Sequence, residues 1–133
     1  MSKQVNIIPC SGIGKVHGLL AREIALRLVN EICSEEAKTE CLGYIVTEDQ
    51  EIADRIKASK CITIDGCPKM CAAKSVANVG GTIAEEVRIV DILKGYRGIK
   101  TGTATALNDD GWNIVDEAAE KLAIRVREIY GEE

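Results

Sequence analysis

The feature that most constrains the fold is an alternation between short apolar runs and longer segments with helical spacing. The runs at residues 6–9 and 61–64 are apolar or β-branched and end at turn residues, as buried strands do. Residues 15–32 and 112–130 repeat apolar side chains at helical spacing, which predicts two amphipathic helices. Strands that alternate with helices indicate an α/β fold, predicted here as a three-layer sandwich around a mostly parallel sheet.

The remaining strands and helices have less distinct signals. Residues 86–93 alternate polar and apolar side chains, which predicts a fourth strand. The second strand has two candidate positions, residues 38–41 and residues 43–46. Thr47 resembles the N-cap of a helix that runs to about residue 59.

One more helix is predicted in the middle of the chain, and one segment has no assignment. Cys67-Pro68 predicts a helix start, because proline is favoured at the first helical position, and Gly80-Gly81 predicts its end. Residues 95–111 are rich in glycine and threonine, and their apolar residues follow neither the helical spacing nor the alternation of a strand.

Length and composition narrow the class of protein. A chain of 133 residues without repeats or linkers predicts one domain over residues 1–133. A net charge of -4 and an aromatic content of 3% provide neither the basic patch nor the stacking platforms of a nucleic-acid-binding protein. No apolar run approaches the roughly 20 residues of a membrane helix, so we expect a cytoplasmic protein without a membrane partner. Whether the chain binds another protein or a second copy of itself stays open.

Cysteine is the residue type that points to chemistry. The chain has six cysteines and one histidine, and in a reducing compartment such a count indicates metal or redox chemistry more than disulfides. Cys10, Cys41 and Cys67 each lie near the end of a predicted strand, and Cys71 follows four residues after Cys67. Because the carboxyl ends of parallel strands share one edge of a sheet, we expect these four thiols to meet there. Four thiolates suit zinc, and they also suit an iron–sulfur cluster.

The other two cysteines fall elsewhere. Cys33 follows the first long helix, and Cys61 opens the third strand at the end opposite to the predicted site. Buried cysteine is common as a small hydrophobic residue, so both are predicted to be structural.

Three segments together resemble the DGC domain family, which is named for an Asp-Gly-Cys motif. They are Cys10-Ser11-Gly12, Cys41-Leu42-Gly43 and Asp65-Gly66-Cys67-Pro68-Lys69-Met70-Cys71-Ala72. The resemblance extends over about residues 8–81. It implies a zinc site whose four ligands, carried over by position, are Cys10, Cys41, Cys67 and Cys71, and it implies no particular reaction.

Residues beside these cysteines have two interpretations each. Asp65 is either a hydrogen-bond acceptor or general base next to the metal, or a turn residue that caps the following helix while Gly66 supplies an unusual backbone angle. A single carboxylate without a partner favours the cap. Ser11 and Gly12 are predicted to form a tight turn that frees Cys10, because the spacing of a phosphate-binding loop is absent.

Two further residues are candidates at the edge of the site. His17, the only histidine, could act as a proton shuttle or an additional ligand, although a lone helical histidine is more often a surface or capping residue. Lys69 could offset the negative charge of four thiolates.

The sequence therefore predicts a zinc-binding protein whose metal is structural or carried to another protein. A second hypothesis is that three cysteines hold the zinc and a labile fourth position activates water for hydrolysis. The cysteines would also suit an iron–sulfur protein or a thiol–disulfide enzyme, the latter disfavoured because the Cys-x2-Cys spacing is missing. Whether the protein is an enzyme is left open.

Overall fold

The computed structural model describes residues 4–10, 15–40, 42–47, 49–66 and 69–131. Within these ranges, four parallel strands form one sheet in the order β2-β1-β3-β4. The strands are β1 (Val5–Cys10), β2 (Ala37–Thr39), β3 (Lys60–Asp65) and β4 (Thr82–Arg88). β2 lies on one side of β1, and β3, the next strand in the chain, lies on the other side. The direction in which successive strands are placed therefore reverses between β1 and β3, and we call this position the reversal point.

Helices connect the strands and follow the last one. Their bounds are α1 (Val16–Arg27), α2 (Leu42–Val46), α3 (Gln50–Lys57), α4 (Cys71–Asn78), α5 (Ile89–Leu93) and α6 (Asp109–Gly131). A π-helical turn at Leu28–Ile32 extends α1, and a 3-10 turn at Lys94–Tyr96 extends α5.

The helices pack on both faces of the sheet, because side chains on a strand alternate between the faces. Ile7 and Ile64 belong to a core with α1, α5 and α6, whereas Ile8 and Cys61 belong to a second core with α2, α3 and α4. Helices on both faces of a parallel sheet make the predicted three-layer α/β arrangement, which is confirmed.

The second strand and the helix after it differ in part from prediction. β2 ends at Thr39 and matches the first of the two candidate positions, whereas residues 42–46 form α2 and the strand predicted at 43–46 is wrong. In so short an apolar run, the spacing of the apolar residues does not distinguish a strand from a buried helical turn. Thr47 does not cap α3; the N-cap is Asp49, whose carboxylate accepts a hydrogen bond of 3.1 Å from the Ile52 amide.

Helix α4 begins at Cys71, four residues later than the predicted start at Cys67. Lys69 lies in a turn, and Met70 precedes the helix in the left-handed conformation, with φ 55° and ψ 50°. A left-handed residue cannot continue a right-handed helix, so α4 cannot extend back through Met70.

The predicted end of the fourth strand is also too late. β4 ends at Arg88, and the apolar residues that follow it form α5. In the segment without an assignment, Gly102 and Leu107 form an isolated antiparallel bridge just before α6. Among the described helices, none combines the length and the apolar character needed to span a bilayer.

Candidate metal centre

The candidate site lies where β1 and β3 end side by side. Cys10 is the last residue of β1, Asp65 is the last residue of β3, and their Cα atoms are partners in the sheet register. The Gly66 amide donates a 3.4 Å hydrogen bond to the Cys10 carbonyl and extends the pairing by one step. Ligands of open parallel sheets bind at such a reversal point, so the sheet places Cys10 at the position where a site is expected.

Cys10 belongs to the core between the sheet and α2, α3 and α4. It is 6% exposed and packs in one apolar cluster with Ile8, Ile45 and Ala72. Its thiol is free. The sulfur is thus held in a largely dry environment on one face of the sheet edge.

Cys71 reaches the same cluster from a different element. It is the first residue of α4, is partly buried and packs against the cluster that contains Cys10. Its position as the first residue of α4 places it at the positive end of the helix dipole. The fold therefore brings two of the four predicted ligands, Cys10 and Cys71, to one cluster.

The Asp65 carboxylate caps α4, the simpler of its two predicted roles. Asp65 is 2% exposed; its Oδ1 accepts a hydrogen bond of 2.7 Å from the Ala72 amide, and its Oδ2 accepts one of 3.2 Å from the Ala73 amide. Burial raises the pKa of Asp65 above its usual value, although the two amide hydrogen bonds act in the opposite direction. Both carboxylate oxygens are therefore engaged with the first turn of the helix that begins at Cys71.

Gly66 is required for space rather than for an unusual backbone angle. A Cβ atom on Gly66 would lie 2.7 Å from both the Cα and the amide nitrogen of Gly18, and 2.7 Å from the His17 carbonyl oxygen. The φ angle of Gly66 lies outside the left-handed region. Two glycines thus allow the end of β3 to approach the first turn of α1, and the predicted reason for Gly66 is corrected.

Four of the predicted residues, Cys41, Cys67, Ser11 and Gly12, lie outside the described residues. Their predicted roles stay predictions. Residues next to two of them do lie at the site: Leu42 packs against the cluster that contains Cys10, and Gly66 is hydrogen-bonded to Cys10.

The two candidates at the edge of the site, His17 and Lys69, lie on different elements. His17 is half-buried in the first turn of α1, and its carbonyl oxygen lies close to Gly66. Lys69 is exposed in the turn before α4. In the part of the chain that the structure describes, three or more histidine, cysteine or carboxylate side chains nowhere form a group that could hold a metal.

Cys33 and Cys61 are completely buried, Cys33 in the core on the other face of the sheet and Cys61 in the same core as Cys10. Burial raises the pKa of the Cys61 thiol to about 12, and burial also raises the pKa of Cys33. Such thiols stay protonated at neutral pH and are poor ligands and nucleophiles. Cys61 is the second residue of β3, four residues before Asp65, at the opposite end of the strand.

Sequence reasoning predicted that Asp65 caps the following helix, but it missed how far from Asp65 that helix begins. Standard capping rules place the cap directly before the helix, but here the N-cap residue is Met70, which makes no side-chain capping hydrogen bond. The acceptor comes from a strand end seven residues before Ala72. A helix start without a local Ser, Thr, Asp or Asn was the available signal that the cap had to come from elsewhere in the fold.

Comparison with known proteins gives one match. A family model described as the DGC domain matches residues 6–121 of the chain. Neither a curated protein nor a solved structure gives a significant match.

Proposed function

We propose that this chain, which belongs to the DGC domain family, binds one zinc ion through Cys10, Cys41, Cys67 and Cys71 and acts in the cytoplasm. The observation that carries the proposal is that Cys10 ends β1 beside Asp65, whose carboxylate accepts a hydrogen bond from the first turn of α4, where Cys71 lies. Two thiols from separate elements at one edge of a sheet are an arrangement that a metal can bridge.

The donor set fits zinc. Cys10 and Cys71 are both reduced cysteines outside any disulfide, and zinc prefers thiolate sulfur among protein ligands. Cys71 begins α4, and the positive end of the helix dipole there favours negatively charged ligands of a metal.

Chain connectivity supports the other two ligands. Cys41 is bonded to Leu42, which packs against the cluster that contains Cys10, and Cys67 is bonded to Gly66, whose amide meets the Cys10 carbonyl. Because consecutive Cα atoms are only about 3.8 Å apart, the positions of Leu42 and Gly66 support the proposal that the two cysteines are ligands.

Four thiolates would complete the tetrahedral coordination of the zinc. Zinc held in that way supplies a cross-link between elements and leaves no position for a substrate, so the metal is structural or is transferred to another protein. The chain itself contributes the scaffold: Gly66 brings the end of β3 against α1, and Asp65 fixes the start of α4.

The hydrolytic hypothesis has less support. In that hypothesis Asp65 is the candidate general base beside the metal. Its two amide hydrogen bonds instead support the role of a cap on α4.

Cysteine variants test the proposal. Cys10→Ser and Cys71→Ser should each reduce zinc affinity at least tenfold in a competition assay with a chromogenic chelator, because each removes a thiolate ligand. Cys61→Ala is the matched control, because Cys61 is buried in the same core as Cys10 but at the other end of β3. Wild-type affinity in both serine variants, or an equal loss in the control, would contradict the assignment.

A further inference from the structure

We infer that Asp65 is a positioning residue whose carboxylate holds the first turn of α4, and with it the Cys71 thiol, against the end of β1 that carries Cys10. The expected changes in metal binding rest on the proposed zinc site. The expected changes in amide exchange rest only on the hydrogen bonds of Asp65.

The described residue at the N-cap position of α4 does not cap the helix with its side chain. Met70 occupies the N-cap position in the left-handed region and provides no side-chain acceptor to the helix. A bulky residue in this region is strained, so the conformation requires stabilisation from the surrounding structure. The two hydrogen bonds from the Ala72 and Ala73 amides to Asp65 are that stabilisation.

Asp65 also belongs to the framework that places Cys10. It is the register partner of Cys10 across the β1–β3 ladder, and the next backbone hydrogen bond joins Gly66 to Cys10. One short chain of contacts therefore runs from Cys10 through the sheet to Asp65 and from its carboxylate to the residue after Cys71. The separation of the two thiols depends on this carboxylate.

The contacts of Asp65 are those of a positioning residue. One carboxylate oxygen accepts from the Ala72 amide and the other from the Ala73 amide, so the side chain is bound to the first turn of α4. Groups that orient ligands without touching the metal typically change metal affinity by about 10- to 100-fold when they are mutated.

The experiment compares Asp65→Ala and Asp65→Asn with Asp49→Ala in the full chain. Asp49→Ala is the matched control, because Asp49 also caps a helix with its carboxylate, and that helix, α3, contains no cysteine. Cobalt(II) replaces zinc as the probe, because thiolate-to-cobalt absorption reports the number and arrangement of the sulfur ligands. Amide hydrogen exchange of Ala72 and Ala73 in the metal-free protein provides a readout that does not need the metal.

We expect Asp65→Ala to weaken cobalt affinity by about 10- to 100-fold, to alter the thiolate absorption, and to increase exchange at Ala72 and Ala73. Asp65→Asn keeps one acceptor oxygen and should restore part of each effect. Asp49→Ala should leave the cobalt spectrum and affinity unchanged.

Two results would overturn the inference: an unchanged spectrum with unchanged exchange at Ala72 and Ala73, or the same spectral change in Asp49→Ala. A wild-type protein that binds no cobalt would instead refute the proposed function. The exchange rates of Ala72 and Ala73 would then decide alone whether Asp65 holds the start of α4.

Discussion

Individual residues at the sheet edge are fixed by space as much as by chemistry. At Gly66 a methyl group would meet the backbone of Gly18 at 2.7 Å, a distance that real Cβ contacts do not adopt. We expect Gly66→Ala to lower the free energy of unfolding by about 1 to 3 kcal/mol, because the first turn of α1 has to move away from β3. Urea denaturation monitored by circular dichroism measures this loss.

Gly95 provides the control for that substitution, because a Cβ atom there meets nothing within 4 Å. Gly95→Ala should change the free energy of unfolding by no more than about 0.5 kcal/mol. Equal stabilities of the two variants would show that β3 and α1 do not approach as closely as described.

The buried thiol of Cys61 makes stability depend on pH in the alkaline range. Its pKa is about 12 in the folded chain against 9.0 for a free thiol, so the protonated thiol favours folding below pH 9 and this contribution is lost as the pH rises towards 12. The unfolding free energy of the wild type should therefore fall relative to that of Cys61→Ala, by up to about 1.4 kcal/mol per pH unit. Denaturation of both proteins from pH 8 to 10.5 tests this, and parallel curves would contradict it.

At the scale of elements, the metal should act as a cross-link between the edge of the sheet and the layer that contains α2 and α4. The proposed ligands are attached to β1, to the start of α2, to the end of β3 and to the start of α4. Removal of zinc with a chelator should therefore increase amide exchange in α2 and α4 while exchange in α6, on the other face, stays unchanged.

The serine variant Cys71→Ser supplies the control for the chelator. Without a complete site, its exchange in α2 and α4 should already be high and should not respond to chelation. An exchange increase spread evenly over α6 and α4 in the wild type would indicate global destabilisation instead of a local cross-link.

The elements of this fold could be predicted to different degrees from the sequence, for physical reasons. Strands β1 and β3 are apolar runs that end at turn residues, and helices α1 and α6 repeat apolar residues at helical spacing, so the positions of all four were predicted to within a few residues. The start of α4 was predicted four residues too early, because Asp65, the predicted cap, binds amides that follow it by 7 and 8 residues instead of those directly after it. Helix α2 was missed as a helix because five apolar or neutral residues carry no distinctive period.

At the scale of the whole molecule, the sheet order explains how one edge can collect ligands from separate segments. Because the four described strands are parallel and the winding reverses between β1 and β3, every connection that leaves these two strands starts at the same edge. The convergence of Cys10 and Cys71 could be predicted from this topology, whereas their packing against one apolar cluster could not, since it depends on the side chains of α2 and α4.

Elemental analysis of untagged protein purified without oxygen tests the central claim most directly. The account predicts about one zinc per chain, with neither iron nor sulfide, and loss of that zinc in Cys10→Ser and Cys71→Ser. Iron with a matching amount of sulfide, or no metal after reconstitution with zinc, would contradict it.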